Sequence, residues 1–185
     1  MSYLTYIASD YPLETVKNPH DLFLSVNEAV AMGITDIPEA YLVSGFNRDE
    51  PEVIWWSDRD IEINTDTKEV KDGDFDDDFA LHPAMGMDDV YTEKKYAVYL
   101  EWWRYTEGRA TNLIQYIREN LRHTDDVEIW RIRMGVYETP SVRTKRIRID
   151  DLTPEDIRKI DEQDIKIETV EGYELTTQYR YAITK

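Results

Sequence analysis

An α+β fold with a ferredoxin-like C-terminal half is predicted for this chain from three observations. From residue 94 onward, the hydrophobic patterning follows the order strand, helix, strand, strand, helix, strand, with one extra strand. Two strong helix starts, at Thr106 and Thr153, fix where the helices begin. This order is that of the split βαβ arrangement, an antiparallel sheet with two helices on one face. We therefore expect residues 95–183 to form such a sheet, with both helices packed on the same side.

The elements of this half follow from local patterns. Strands are predicted where β-branched and aromatic residues cluster, at Lys95 to Trp103, Val127 to Met134, Val142 to Asp150, Ile165 to Val170 and Glu174 to Ile183. The first helix, near residues 106–122, has one apolar stripe, which consists of Ala110, Leu113, Ile114, Ile117 and Leu121. The second helix, near residues 154–163, has Thr153 as its N-cap, Pro154 at its first position and acids in its first turn.

The N-terminal half begins with a predicted strand and a short helix. Tyr3 to Ser9 alternates as a strand does. Ser25 and Glu28 have the spacing of a capping box, in which each side chain accepts a hydrogen bond from the backbone of the other. Gly33 is expected to end this helix in the left-handed conformation.

The rest of this half is expected to be less regular. Glu52 to Trp56 and Ile61 to Asn64 are predicted to pair as strands across a tight turn. Residues 65–93 are expected to be an acidic connector without regular structure. The division is therefore an acidic half, residues 1–93, and a ferredoxin-like half, residues 94–185, expected to fold as one compact unit.

Composition excludes several classes of protein. The chain has 185 residues, 41% of them hydrophobic, so it can bury a core without a disulfide or a metal. It has no Cys, which excludes a zinc ribbon and thiol catalysis. The phosphate-loop patterns GxxxxGK[ST] and GxGxxG and the nucleophile elbow GxSxG do not occur, and no cofactor is expected. No signal-peptide pattern or run of membrane-spanning length occurs, so a cytoplasmic location is predicted.

The charge is distributed unevenly between the two halves. Residues 1–93 contain 22 acids and 5 bases, whereas residues 94–185 contain 17 of each, so the net charge of −17 resides in the first half. An acidic surface of this kind attracts basic proteins and repels nucleic acids and anionic membranes. We therefore expect a basic protein as partner, and neither nucleic acid nor membrane. The alternative is a solvated face that only keeps the protein soluble.

A local excess of positive charge stands in the balanced half. Between Arg131 and Arg148 there are six bases and one acid, which gives a local charge of +5. The segment is predicted to be a basic hairpin that could neutralise the acidic connector, within one chain or across a dimer. The alternative is that its side chains pair with nearby acids. The candidate binding residues are Asp72, Asp74, Asp76, Asp77 and Asp78 in the connector and Arg131, Arg133, Arg143, Arg146 and Arg148 in the hairpin.

Two other functions are alternatives to protein binding. The alternating Asp residues from Asp72 to Asp78, with His82 nearby, could bind the metal of a metal-dependent hydrolase. Their spacing does not match the calcium-loop pattern, whether the loop starts at Asp72 or at Asp74. The pairs Trp55–Trp56 and Trp102–Trp103 each place one indole on either face of a strand, and exposed members could stack single-stranded RNA bases. Large aromatic residues on strands that are covered on both faces are more often core residues than binding residues. For the hydrolase alternative, no residue is assigned as a metal ligand.

Several segments together resemble a known group of proteins. They are Tyr6-Ile7-Ala8-Ser9-Asp10-Tyr11-Pro12-Leu13, Leu24-Ser25-Val26-Asn27-Glu28-Ala29 with Gly33, Tyr105-Thr106-Glu107, Glu128-Ile129-Trp130 and Leu152-Thr153-Pro154-Glu155-Asp156-Ile157. Over most of its length, the chain resembles small, acidic, uncharacterised proteins of Gram-positive bacteria. The resemblance implies a bacterial, cytoplasmic protein and brings no activity or site residue with it.

The sequence therefore favours a non-enzymatic protein that acts by protein–protein contact through its acidic half. An immunity protein that blocks a toxin, or an inhibitor that mimics phosphate charge, are concrete forms of this function. No catalytic residue and no oligomeric state is assigned.

Overall fold

The computed structural model describes residues 3–59, 62–63, 65–67, 70–71, 75–84, 91–133, 141–165, 167–170 and 173–185. These residues form three α-helices, α1 (Val26–Ala31), α2 (Glu107–Asn120) and α3 (Pro154–Asp161), and one 3-10 helix, Glu39–Tyr41. The strands are β1 (Tyr3–Ser9), β2 (Asp21–Leu24), β3 (Ile54–Ser57), β4 (Glu62–Ile63), β5 (Val70–Lys71), β6 (Ala80–Pro83), β7 (Tyr96–Glu101), β8 (Asp126–Arg133), β9 (Ser141–Arg148), β10 (Ile167–Val170) and β11 (Tyr173–Thr184). The α+β class is confirmed.

The chain divides into two compact units. The first, here called the sheet unit, comprises Met1–Lys17 and Phe75–Lys185, and the second, the small unit, comprises Asn18–Asp74. The sequence-based boundary between residues 93 and 94 falls inside the sheet unit.

The sheet unit contains a mixed seven-stranded sheet. Six strands lie in the order β9, β11, β8, β1, β7, β6, and β10 pairs with the first residues of β11. β9 and β11 are parallel, whereas the other pairs are antiparallel. Residues 179–184 of β11 pair with both β8 and β9, so these two strands lie along its opposite edges. The first strand of the chain, β1, lies between β7 and β8.

Helices α2 and α3 pack on one face of this sheet. Alternate strand residues such as Ile7 and Ile129, which are paired in register, join the apolar stripes of both helices in one core. The buried members of this core are Ile7, Phe79, Leu81, Val98, Leu100, Ala110, Leu113, Ile114, Ile117, Leu121, Val127, Ile129, Ile147, Ile149, Leu152, Ile157, Ile160, Tyr181 and Ile183. The opposite face buries a smaller cluster, Tyr6, Ala8, Trp130 and Ile132. The arrangement agrees with the expectation that both helices share one side.

The helices begin with the caps that the sequence predicts. The side chains of Thr106 and Thr153 each accept a backbone N–H from the third helical residue. The Ser25 N–H donates to Glu28 Oε2 at 2.7 Å and the Glu28 N–H donates to Ser25 Oγ at 3.2 Å, which completes the capping box. Gly33 has a φ of +80°. The longest helix has 14 residues, and no helix in the described part of the chain has the length and apolar character needed to cross a membrane.

The predicted pairing of Glu52 to Trp56 with Ile61 to Asn64 is wrong. Strand β3 pairs with the earlier strand β2, and β4 pairs with β5. Alternation identifies a strand but carries no information about which strand supplies its hydrogen bonds. The partner of β3 lies about thirty residues upstream, where a local turn signal cannot reveal it.

The acidic connector contains more regular structure than expected. Strands β5 and β6 lie within residues 65–93, and Phe79, Ala80 and Leu81 are buried. These three apolar residues follow a run of Asp. Ala80 and Leu81 begin strand β6, which pairs with β7, and Phe79 and Leu81 lie in the core. The expectation of a connector without strands is therefore wrong for this segment.

The predicted basic hairpin is also wrong, because β11 lies between β8 and β9. The sheet is mixed and not wholly antiparallel, as β9 is parallel to β11. The ferredoxin-like order of the C-terminal half is not confirmed, since β1 from the N-terminal half separates β7 from β8.

Candidate interaction surfaces

An exposed aromatic pair lies on the small unit, on the two-stranded sheet β2–β3. Phe23 and Trp55 stand directly opposite one another in its register, and each is 59% exposed. Neighbours along β3 point to the other face, where Ile54 is buried. Directly opposite residues have Cβ atoms about 5 Å apart, so Phe23 and Trp55 form one aromatic patch.

Carboxylates hold and border this patch. The Nε1 of Trp55 donates to Asp21 Oδ1 at 3.1 Å, which orients the indole ring. Asp21 is itself paired with Arg59. Beside them, Asp58 pairs with His20 Nδ1 at 2.9 Å and keeps half of its side chain exposed. The indole is thus an exposed apolar group with a fixed orientation and an acidic border.

The small unit buries little apolar surface within its own described residues. Its buried apolar side chains there are Val26, Ala29 and Ile54. Six large apolar side chains are between 49% and 59% exposed, namely Phe23, Val30, Met32, Leu42, Val43 and Trp55. Contiguous exposed apolar residues are typical of protein interaction sites, and among these six Phe23 and Trp55 lie directly opposite one another.

The small unit also carries most of the excess negative charge. Residues 18–74 contain 14 acids and 4 bases, a net charge of −10 out of the −17 of the whole chain. Such a field attracts basic partners and repels a phosphate backbone. The aromatic patch therefore lies on the most acidic part of the molecule.

The predicted acidic site is divided in the structure. Asp72 and Asp74 lie outside the described residues. Asp76 and Asp77 are exposed, but Asp78 is fully buried, and its Oδ2 accepts a hydrogen bond from Arg109 Nη2 at 2.7 Å. Both side chains of this ion pair are 0% exposed. Asp78, a candidate binding residue, is therefore not accessible to another protein.

Helix α2 holds the whole turn around this aspartate. Arg109 Nε donates to the carbonyl of Phe75 at 3.1 Å, and Asn112 Nδ2 donates to the carbonyl of Asp76 at 2.9 Å. Gly108 allows the close approach, because a Cβ at this position would lie on the Asp76 carboxylate. Residues 75–78 are thus attached to the first turns of α2, and the Asp78 carboxylate serves to hold them there.

The predicted basic residues are dispersed over the sheet. Arg131, on β8, faces the helices, donates to Thr5 Oγ1 at 2.9 Å and pairs with Asp161 at 3.4 Å. Burial raises the pKa of the Asp161 carboxyl even though Arg131 acts in the opposite direction, and burial lowers the pKa of Arg131. Arg133 is half-buried at the end of β8. These two residues contribute little exposed charge.

Arg143, Arg146 and Arg148 remain together, on strand β9, and all three are exposed. Arg148 lies 4.0 Å from Asp150 and the neighbouring Lys145 lies 3.8 Å from Asp156. At these distances and exposures, such pairs stabilise the fold by at most about 1 kcal/mol. The basic site predicted from the sequence is therefore reduced to one strand.

His82 does not join the aspartates. Its Nε2 pairs with Glu101 at 2.9 Å, and its ring stacks on Tyr99 with centroids 4.9 Å apart. Asp78 is paired with Arg109 in the interior. Within the described ranges, no three His, Asp or Glu side chains are grouped so as to hold a metal ion.

Comparison with known proteins assigns the chain to no family. No family model matches it, and neither a curated protein nor a solved structure is significantly similar. Candidate sites are therefore supported by geometry and charge alone.

Sequence reasoning missed two features of the sites, and the sequence contains a local signal for only one of them. Trp55 and Trp56 do face opposite ways, but the exposure of Trp55 and its pairing with Phe23 depend on the distant strand β2. Arg109 lies four residues before Leu113, so it falls on the buried stripe of α2. A cation on a buried stripe requires an acidic partner, and this requirement was the available signal.

Proposed function

We propose that this protein is a non-enzymatic binding protein that docks its acidic small unit onto a basic partner protein. The observation that carries the proposal is the Phe23–Trp55 pair, two opposed aromatic side chains that are each 59% exposed beside Asp21. Aromatic anchors of this kind supply most of the energy of protein interfaces, and Trp is the residue most enriched among them. Two chemical features, an apolar anchor and an acidic surround, thus coincide on one surface.

The two features have separate tasks in this proposal. The net charge of −10 on residues 18–74 steers a basic partner and speeds its association. Burial of Phe23 and Trp55 then keeps the complex together, because apolar contacts mainly slow dissociation. In a bacterial cytoplasm, this chemistry suits an immunity protein that blocks a toxin or an inhibitor that occupies a phosphate-binding surface.

The two rival functions gain no specific support. A metal-dependent hydrolase at the Asp72–His82 cluster would need Asp78 and His82 to bind the same metal ion. Instead, Asp78 pairs with Arg109 and His82 pairs with Glu101. RNA binding on the sheet was expected to use Trp102 and Trp103, but strand β7 ends at Glu101, before both indoles. The aromatic residue of central strand β8, Trp130, is 1% exposed and lies under Arg180.

The test is capture of partners from a bacterial extract on the immobilised full-length protein. Proteins are bound at low salt and eluted with a salt gradient, in parallel with the double variant Phe23→Ala/Trp55→Ala. The matched control is Trp103→Ala, because Trp103 is also an exposed indole, at 51%, but belongs to the sheet unit.

A basic protein that elutes at moderate salt from the wild type and the Trp103→Ala control, and is lost from the double variant, supports the proposal. Removal of an aromatic anchor should weaken its binding by about 2 kcal/mol or more, roughly thirtyfold in Kd. A partner that binds all three proteins equally would contradict the role of the aromatic patch.

A further inference from the structure

Among the described residues, strand β9 is an edge strand, paired on one side only. One edge pairs with β11 from Ser141 to Arg148, and no other strand among the described residues pairs with it. Its first six residues are all exposed, so neither face of this stretch is covered. The chain enters the core only at Ile147, which is 9% exposed. An edge of this length offers unpaired backbone groups to another extended chain.

The side chains of β9 form a row of positive charge on both faces. Arg143 and Lys145 share the helix side with Ile147, whereas Arg146 and Arg148 project to the opposite side. The acids near them, Asp156 and Asp150, lie at 3.8 and 4.0 Å and leave these cations exposed. Four cations in eight residues are thus available to a neighbour on either face.

We propose that β9 binds an extended acidic segment of another protein, which adds to the sheet as a further strand. The backbone of the segment would supply the hydrogen bonds, as in other cases of strand addition. Its carboxylates would lie directly beside the guanidinium and ammonium groups of β9, where cross-strand pairs of opposite charge are favourable. This surface differs from the aromatic patch on the small unit: β9 is basic and would bind an acidic partner, whereas the small unit is acidic and would bind a basic one.

The charges on β9 also determine which strands are rejected. A second copy of β9 would bring like charges into direct opposition, which disfavours pairing between two copies of this edge. Nucleic acid fits less well, because its phosphates cannot make the backbone hydrogen bonds of a strand. An acidic peptide satisfies both the backbone and the side chains.

The described part of this chain's own acidic segment is already engaged elsewhere. Asp78 is buried against Arg109, and the carbonyl of Asp76 accepts a hydrogen bond from Asn112. These contacts hold residues 75–78 at the start of α2. The occupant of β9 is therefore expected to come from a different protein.

The test uses the full-length protein and three octapeptide probes. The first alternates Glu with Thr, the second replaces each Glu by Lys, and the third is the Glu peptide with an N-methyl group on every backbone nitrogen, which blocks both of its edges. The N-methylated peptide keeps its charge but cannot add to a strand edge. Binding is measured by calorimetry, and amide hydrogen exchange of residues 141–148 is followed with and without peptide.

Two double variants complete the design. Arg146→Glu/Arg148→Glu changes the charge of β9, and Arg118→Glu/Arg122→Glu makes the same change in net charge at two exposed residues at the end of α2 and just after it. The wild type should bind the Glu peptide with slower exchange within β9, and the β9 variant should bind about tenfold or more weakly. The α2 variant should bind like the wild type, and the β9 variant should gain affinity for the Lys peptide.

Three results would overturn the proposal. Equal binding of the Glu peptide and its N-methylated form would show attraction by charge without strand addition. Equal losses in the two double variants would show a nonspecific field effect. Failure of the Glu peptide to bind the wild type, or binding of a single-stranded RNA in its place through Arg146 and Arg148, would remove the acidic strand as occupant.

Discussion

Arg109 and Asp78 form the one charged pair in the described chain with both side chains 0% exposed. Removing two charges from water costs several kcal/mol for each ion, so such a pair persists only when its remaining donors are satisfied. Here Arg109 donates to Asp78, to the carbonyl of Phe75 and to the carbonyl of Arg104. The guanidinium thereby fixes a backbone turn that apolar packing alone would not specify.

Asp78→Asn is expected to destabilise the protein strongly, because it leaves the Arg109 charge buried and uncompensated. The expected loss is about 3–5 kcal/mol in the free energy of unfolding, measured by urea denaturation. Asp36→Asn, at an exposed position outside the helices and strands, should change it by less than about 0.5 kcal/mol. Similar small effects of both substitutions would contradict the structural role of this pair.

The ionisation of Tyr116 is expected to lower the stability of the folded protein at alkaline pH. Burial raises the pKa of its phenol to about 12, and its hydroxyl donates to the carbonyl of Glu14 at 2.8 Å. A raised pKa in the folded state means that the neutral form stabilises the fold, so this contribution is present below pH 10 and is lost as the pH rises toward about 12.

Unfolding of the wild type and of Tyr116→Phe should therefore be compared below and above pH 10. The wild type should be the more stable protein at the lower pH, and its advantage should shrink as the phenol ionises. A difference that stays constant across this range would contradict the assignment.

At the scale of elements, local chemistry explains what the sequence could predict. The Ser25, Thr106 and Thr153 caps and the left-handed Gly33 depend on residues within a few positions, and all of them are present. The strand β1 was also identified with the bounds Tyr3–Ser9. Partners of strands were not predictable, because the pairing of β3 with β2 and the position of β11 between β8 and β9 depend on distant segments.

The cap of α3 is expected to contribute measurably to stability. Thr153→Ala removes the side-chain oxygen that accepts the Asp156 N–H at 3.2 Å and breaks the capping box. The expected cost is about 1 kcal/mol, seen as a lower denaturation midpoint. Thr111→Ala, at an exposed position inside α2, serves as a control and should cost clearly less; an equal cost would contradict the capping argument.

At the scale of the whole molecule, the division into units follows long-range contacts. Residues 1–17 belong with residues 75–185 because β1 pairs with β7 and β8, which lie about ninety or more residues further along the chain. The sequence did reveal the charge asymmetry, and the division sharpens it by placing a charge of −10 on residues 18–74. It did not reveal the aromatic patch, which exists only once β2 and β3 are paired.

Photocrosslinking can show whether Phe23 and Trp55 contact a basic partner, as proposed. Trp55 is replaced by the photoreactive residue p-benzoylphenylalanine, and Trp103 is replaced in the same way as the matched position on the sheet unit. Irradiation in cell extract should join a basic protein to position 55 and not to position 103, and high salt should abolish the product because charge steers the encounter. Absence of a crosslink at position 55, or the same products at both positions at any salt concentration, would contradict the claim.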